Sequence, residues 1–218
     1  MKFLLFLGTA RDSSPPRPKR LGARVARACQ QFFARYYPEH DVELVDVLDY
    51  PLNDIFKPHF AFAKGRAPHE LNELADKISV ADGYIMVSPE YNHSMSPALS
   101  HLLNHFGSSL FSYKPSIIVT YSAGQWGGAR AAVNMRTFLA ELGCLPVSAM
   151  MHYPKAQEVF NEEGGYETNQ NEDEWKRYLD RGVSQLIWWS EACQAQRDKA
   201  QLGDSFRSDP SQRNAPSD

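Results

Sequence analysis

The chain has 218 residues, 43% of them hydrophobic and 22% charged, with a formal net charge of −3 and a pI near 6.2. That length allows one domain with a full core plus a tail, and the charge excludes a broad basic surface for nucleic acid. No apolar run reaches the ~18 residues a membrane span needs, and the three cysteines, Cys29, Cys144 and Cys193, lack CxxC spacing, which fits a reducing cytosol and excludes a disulfide framework or zinc site.

The opening residues 1–7 carry too short an apolar stretch for a signal peptide and read as a buried strand over 2–7. A turn rich in Ser, Pro and Arg leads to a helix over 22–37, where Val25, Cys29, Phe32 and Phe33 recur at helical spacing. A second strand is expected over 41–47, then an irregular aromatic-bearing loop over 51–68 and a helix over 70–81. The third strand, 83–87, runs into Ser88-Pro89-Glu90-Tyr91-Asn92-His93-Ser94, and a helix follows over 97–107. Ser94 or Ser96 suits its N-cap, with Pro97 at the first helical position. A fourth strand is expected over 116–121, a helix over 128–142 ended by Gly143, a fifth strand over 145–151 and a last helix over 173–196. There Tyr178, Leu186, Trp188 and Trp189 are expected to cover the sheet.

Five strands alternating with helices call for a parallel sheet covered on both faces. Right-handed crossovers favour an α/β, flavodoxin-like, doubly wound sheet of order 2-1-3-4-5. The domain is assigned to residues 1–198, and 199–218, polar and aperiodic, to a disordered tail.

In that order the turns after strands one, three and four meet at the switch point. The first, from Gly8 to Gly22, brings hydroxyls, guanidiniums and backbone N–H groups to a helix start, a recipe for holding phosphate. It is neither a P-loop nor a GxGxxG turn. Thr9 and Arg11 lie next to the strand, and Arg20 and Gly22 where the helix begins. The turn after strand three offers a flat Tyr91 ring, the polar end of Asn92 and a φ fixed by Pro89. The turn after strand four, from Ser122 to Arg130, has three glycines that let backbone N–H groups approach a flat ligand. A phosphate-holding turn beside two turns shaped for a planar ring favours FMN over NAD. His101 and His105 lie four apart on one helical face, but nothing completes a metal site, and none is expected.

These turns carry a resemblance. GTAR at 8–11, RLGARVA at 20–26, SPEYNHS at 88–94 and SAGQWGGARAA at 122–132 are similar to the motifs of the NADPH-dependent FMN reductase family, over roughly residues 1–160. The resemblance implies FMN with its phosphate at Thr9, Arg11, Arg20 and Gly22. It implies ring and ribityl contacts from Pro89, Glu90, Tyr91 and Asn92, with Ser122, Gly124 and Gly127 on the ring's polar edge. Hydride would pass from NADPH, or NADH, to FMN and on to a flavin, quinone or similar small acceptor, with no catalytic side chain needed. Arg130, Arg11 and Arg17 are candidates for the NADPH 2′-phosphate. A cytoplasmic homodimer or homotetramer is expected, paired through Leu99, Leu102, Leu103 and Phe106 and a loop bearing Phe56, Phe60 and Phe62. The chain departs from the pattern in a longer first turn, where Ser13, Ser14 and Arg17 have no aligned counterpart, and at the interface, with Ser96-Pro97 and Ser100-His101 where many members read Pro-Gly and Lys-Asn. A flavin-binding electron carrier and a flavin-sensing module remain as alternatives.

Overall fold

Strand β1 (Lys2–Leu7) is buried on both faces from Phe3 onward, as the central strand of a parallel sheet must be. A computed structural model of the protein describes residues 1–11, 13–14, 16–52 and 55–199, so the expected tail lies outside the described residues save for its first position. The other strands are β2 (Asp41–Asp46), β3 (Gly83–Pro89), β4 (Pro115–Tyr121) and β5 (Leu145–Tyr153). They pair in parallel in the order β2-β1-β3-β4-β5, the topology the sequence pattern predicts.

The helices, in chain order, are α1 (Leu21–Tyr36), α2 (His69–Val80), α3 (Pro97–Asn104), α4 (Ser108–Phe111), α5 (Ala129–Glu141), α6 (Ala156–Val159) and α7 (Glu172–Lys199). Successive side chains of a strand point to opposite faces, so one strand feeds two cores. Phe3, Leu5 and Leu7 join Val25, Phe33, Leu179 and Val183 under α1 and α7. Leu4 and Phe6 join Leu74, Ile78, Leu103 and Met135 under α2, α3 and α5.

Three expectations are corrected. The helix over 97–107 stops at Asn104, with Gly107 opening the separate α4. Trp188 and Trp189 do not cover the sheet; they stand 61% and 42% exposed, as an edge-on pair with ring centroids 4.7 Å apart. The buried stripe of α7 runs through Leu179, Val183, Leu186 and Ser190, and at 3.6 residues per turn the two tryptophans fall outside it. Leu99, Leu102, Leu103 and Phe106 are all at most 2% exposed, so that apolar face belongs to the core beneath α3 and is closed to a partner.

A lysine is built into this interior. Lys114 lies beneath α2 and α4, where its Nζ donates to Ile78 O at 2.8 Å, Ser79 O at 2.7 Å and Leu110 O at 3.1 Å. These are carbonyls that helix ends leave without intrahelical partners. Tyr84 Oη also donates to two of them, Ile78 O and Leu110 O. Burial pushes the Lys114 ammonium down to about 8, while the three acceptors give its protons a place. Lys114→Met should keep the packing yet strand Ser79 O, lowering the unfolding free energy by about 2 kcal/mol. Urea denaturation at pH 7 checks this, with an unchanged m-value expected.

Candidate functional site

The carboxyl ends of β1, β3 and β4 are neighbours, and the three unusual turns leave the sheet side by side. In the first turn, Thr9 is 2% exposed and its Oγ1 accepts from Arg11 N at 3.4 Å, while burial pushes the Tyr121 hydroxyl beside it well up. Arg20 forms an ion pair with Asp46 from the end of β2 and donates to Thr9 O. A Cβ on Gly22 would come within 2.4 Å of Tyr121 Oη, so only glycine lets α1 start this close to β4. Thr9, Arg20 and Gly22 thus form the floor of the turn. Arg11 is exposed and donates from Nε to Tyr91 Oη at 3.0 Å, joining the first turn to the second.

The second turn closes on itself. Tyr91 N donates to Ser94 O and Ser94 N to Tyr91 O, both at 3.0 Å. Between them Asn92 and His93 have φ of 50° and 63°, the signature of a type I′ turn, which suits Asn at its first central position. Ser88 Oγ accepts from Ser96 N at 2.9 Å, and Ser96 Oγ accepts from Ala98 N at 3.2 Å, capping α3 with Pro97 in its first turn. The expected cap is therefore Ser96, and Ser94 turns instead to Asn134 at 2.9 Å.

In the third turn Ser122 Oγ accepts from Gly127 N at 2.9 Å and donates to Gly124 O at 2.7 Å. Gly127 and Gly128 have φ of 59° and 79°, and a Cβ on either would come within 2.9 Å of Pro154 or Thr120. Gly124 is different. A Cβ there would meet nothing within 4 Å, so no contact inside the chain calls for glycine.

One link was not legible in the sequence. The Glu90 carboxylate, 9% exposed, accepts from Arg130 Nε at 2.8 Å, Arg130 N at 3.2 Å and Ala131 N at 3.4 Å. It caps α5, whose own N-cap, Gly128, has no side chain to do so. Asp46 and Tyr121, beneath the first turn, were likewise missed. Both sit at the last residue of a strand, which is the only signal the sequence offered. Below the third turn, His152 Nδ1 lies 2.8 Å from Thr120 Oγ1, and burial lowers its pKa.

The residues present fit FMN. Helix α1 has no side-chain cap and no acid in its first turn, leaving the Leu21 and Gly22 N–H groups without partners among the described residues. Arg20 Nε, in the same place, is a buried donor without a partner. Phosphate suits such a helix end, and the open space at Gly124 suits the edge of a flat ring.

An α/β sheet of this order with such turns at its switch point defines a flavodoxin-like flavoprotein. Residues 1–158 match the model of the NADPH-dependent FMN reductase family, and the chain belongs to that family. It is an FMN-dependent NAD(P)H oxidoreductase. Over 170 residues it is 29% identical to the CrdA subunit of an NADH:(hydroxy)cinnamate reductase from Vibrio ruber, covering 75% of this chain and 76% of that one. It is 28% identical over 151 residues to an NAD(P)H-dependent FMN reductase of Pseudomonas aeruginosa, covering 66% and 78%. In fold it resembles FerB, a flavoenzyme NAD(P)H:(acceptor) oxidoreductase from Paracoccus denitrificans, with a TM-score of 0.67, 20% identity and coverage of 88% and 97%.

Two outcomes are expected. Glu90→Ala should cost about 1–2 kcal/mol of stability by uncapping α5, read as a shift in the urea midpoint at constant m-value. For His152, the unfolded state takes up a proton more readily than the folded state. Stability should therefore fall as pH drops below about 6.5, and His152→Gln should flatten that slope in denaturation curves between pH 5 and 8.

Proposed function

We propose that this oxidoreductase takes hydride from NAD(P)H and delivers it to a small flat acceptor, a flavin or quinone in type, as a cytosolic homodimer or homotetramer. The observation that carries the site assignment is the joining of three strand-end turns, by Arg11 to Tyr91 and by Glu90 to Arg130. When bound, FMN supplies the ring that accepts and donates hydride, and the chain supplies binding and orientation. The α1 N–H groups and Arg11 hold the phosphate, over a floor of Thr9, Arg20 and Gly22. Pro89, Tyr91 and Asn92 flank the ring, and Glu90 fixes the turn that presents Ser122, Gly124 and Gly127 to its polar edge. No side-chain acid or base is required.

Assembly is supported by apolar groups the fold leaves outside. Phe60 is 65% exposed, Phe56 49% and Val133 62%. Phe56 packs on His105 at 4.7 Å, so the loop carrying it lies along α3, which leaves the second turn. Such exposed apolar groups are the usual material of a subunit interface. Buried, unpaired Cys29 and Cys144 support a reducing compartment. The charge of −3 supports small-molecule substrates over nucleic acid, and among the described residues no helix is long and apolar enough to cross a membrane.

The purified protein should bind FMN, and excess NADPH or NADH should bleach it anaerobically; silence would favour a carrier or a sensing module. Arg11→Ala should weaken FMN binding by about 1.5–3 kcal/mol, measured by flavin fluorescence titration, through loss of a charge-assisted phosphate contact. Undiminished affinity would remove Arg11 from the phosphate site. Light scattering should give at least a dimer mass.

A further inference from the structure

The third turn ends in a pair that holding FMN does not account for. Trp126 is 63% exposed, the most exposed of the tryptophans at the site end of the sheet. Its ring faces the Arg130 guanidinium, with Cζ 5.9 Å from the ring centroid. Arg130 is aimed from behind, because Glu90 Oε1 accepts from its Nε at 2.8 Å. The guanidinium is 49% exposed, and its two terminal amino groups have no hydrogen-bond partner among the described residues. An oriented guanidinium fork beside an open indole face matches one kind of ligand: a flat aromatic ring with a phosphate close by.

We infer that Trp126 and Arg130 recognise the adenosine 2′-phosphate end of NADPH, the adenine stacking on Trp126 and the 2′-phosphate taking the free edge of Arg130. The inference rests on the reductase reading above and adds a preference for NADPH over NADH. Arginine is the group that dinucleotide sites use to accept a 2′-phosphate, since NADH offers only a hydroxyl there. The other two arginine candidates stand elsewhere. Arg11 and Arg17 both belong to the first turn, where a second phosphate would compete with that of FMN. Arg130 opens α5, at the end of the third turn. It is also the one that has an indole beside it.

Glu90 is the acid in contact with Arg130, and it is shared with the backbone N–H groups of Arg130 and Ala131. Glu90 offsets part of the Arg130 charge, and what the half-exposed outward edge offers an anion is its unpaired N–H donors.

The test is a calorimetric titration of the FMN-loaded protein with adenosine 2′,5′-bisphosphate and, separately, with 5′-AMP. The bisphosphate should bind at least about 10-fold more tightly. Arg130→Gln should erase that difference, and Arg130→Lys should keep part of it by retaining charge without the fork. Trp126→Ala should weaken both ligands alike, and Trp126→Phe should restore them. In turnover, Arg130→Gln should lower kcat/KM for NADPH at least about 10-fold more than it lowers the value for NADH, and through KM. Equal binding of the two adenosine ligands by the unaltered protein would overturn the inference, as would an Arg130→Gln variant that loses both equally. Failure of the reading beneath it looks different. In that case neither nucleotide bleaches the bound flavin, and the titration still decides whether the 2′-phosphate is recognised.

Discussion

Glu90 joins two of the three turns at the switch point, and the shape of the site depends on where its carboxylate goes. It stands one residue past β3, yet its acceptors are used by the start of α5, on the other side of β4. Helix α5 begins at a left-handed glycine that cannot cap it, so its first N–H groups need an acceptor from outside. A nearly buried carboxylate needs donors in turn. Each demand satisfies the other. Because Arg130 is half exposed, its charge contribution is screened by solvent, and the backbone N–H bonds are the durable part of the link. The third turn is held in register with the second for that reason, and the space between them has two fixed walls.

Backbone geometry reinforces this placement. Left-handed residues cluster at the mouth of the site: Asn92 and His93 in one turn, Gly127 and Gly128 in the next. A non-glycine residue in that region costs energy, about 1 kcal/mol or more, unless the surroundings over-determine it. Here the paired Tyr91–Ser94 bonds and the Ser122 bonds to the glycine loop provide that determination. The second and third turns are therefore fixed before anything binds, which lowers the ordering cost of binding.

The sheet was legible because parallel strands buried on both faces write themselves as short continuous apolar runs, and both Gly83–Pro89 and Pro115–Tyr121 are of that kind. Strand order followed from handedness, and the turns from their glycines, Pro and Asn. What stayed hidden depends on long-range pairing. Nothing near Arg20 in the sequence announces Asp46, 26 positions away, and nothing near Glu90 announces Arg130, 40 positions away. The apolar stripe of α3 was read correctly as a stripe, but periodicity reports that a face is buried and not what buries it. Trp188 and Trp189 misled for the opposite reason. Bulk suggested a core role, and only the helical phase of α7 against β4 and β5 sets them outside.

The three arginines of the site show how partner and burial divide one residue type among tasks. Arg20, 8% exposed at its side chain, is paired with Asp46 and holds the backbone of Thr9, so its charge is neutralised before a ligand arrives. It shapes the first turn. Arg11 is exposed and held by a neutral phenol, which leaves its full positive charge to the first anion that enters. Arg130 lies between these cases: a carboxylate fixes its inner edge while its outer edge stays in water. A guanidinium with no anchor would lose more side-chain entropy on gripping a phosphate, and one buried against its anchor would have nothing left to offer. The half-anchored state suits a ligand that must come and go at each turnover, whereas Arg11, with no acid bonded to it among the described residues, suits a ligand that stays.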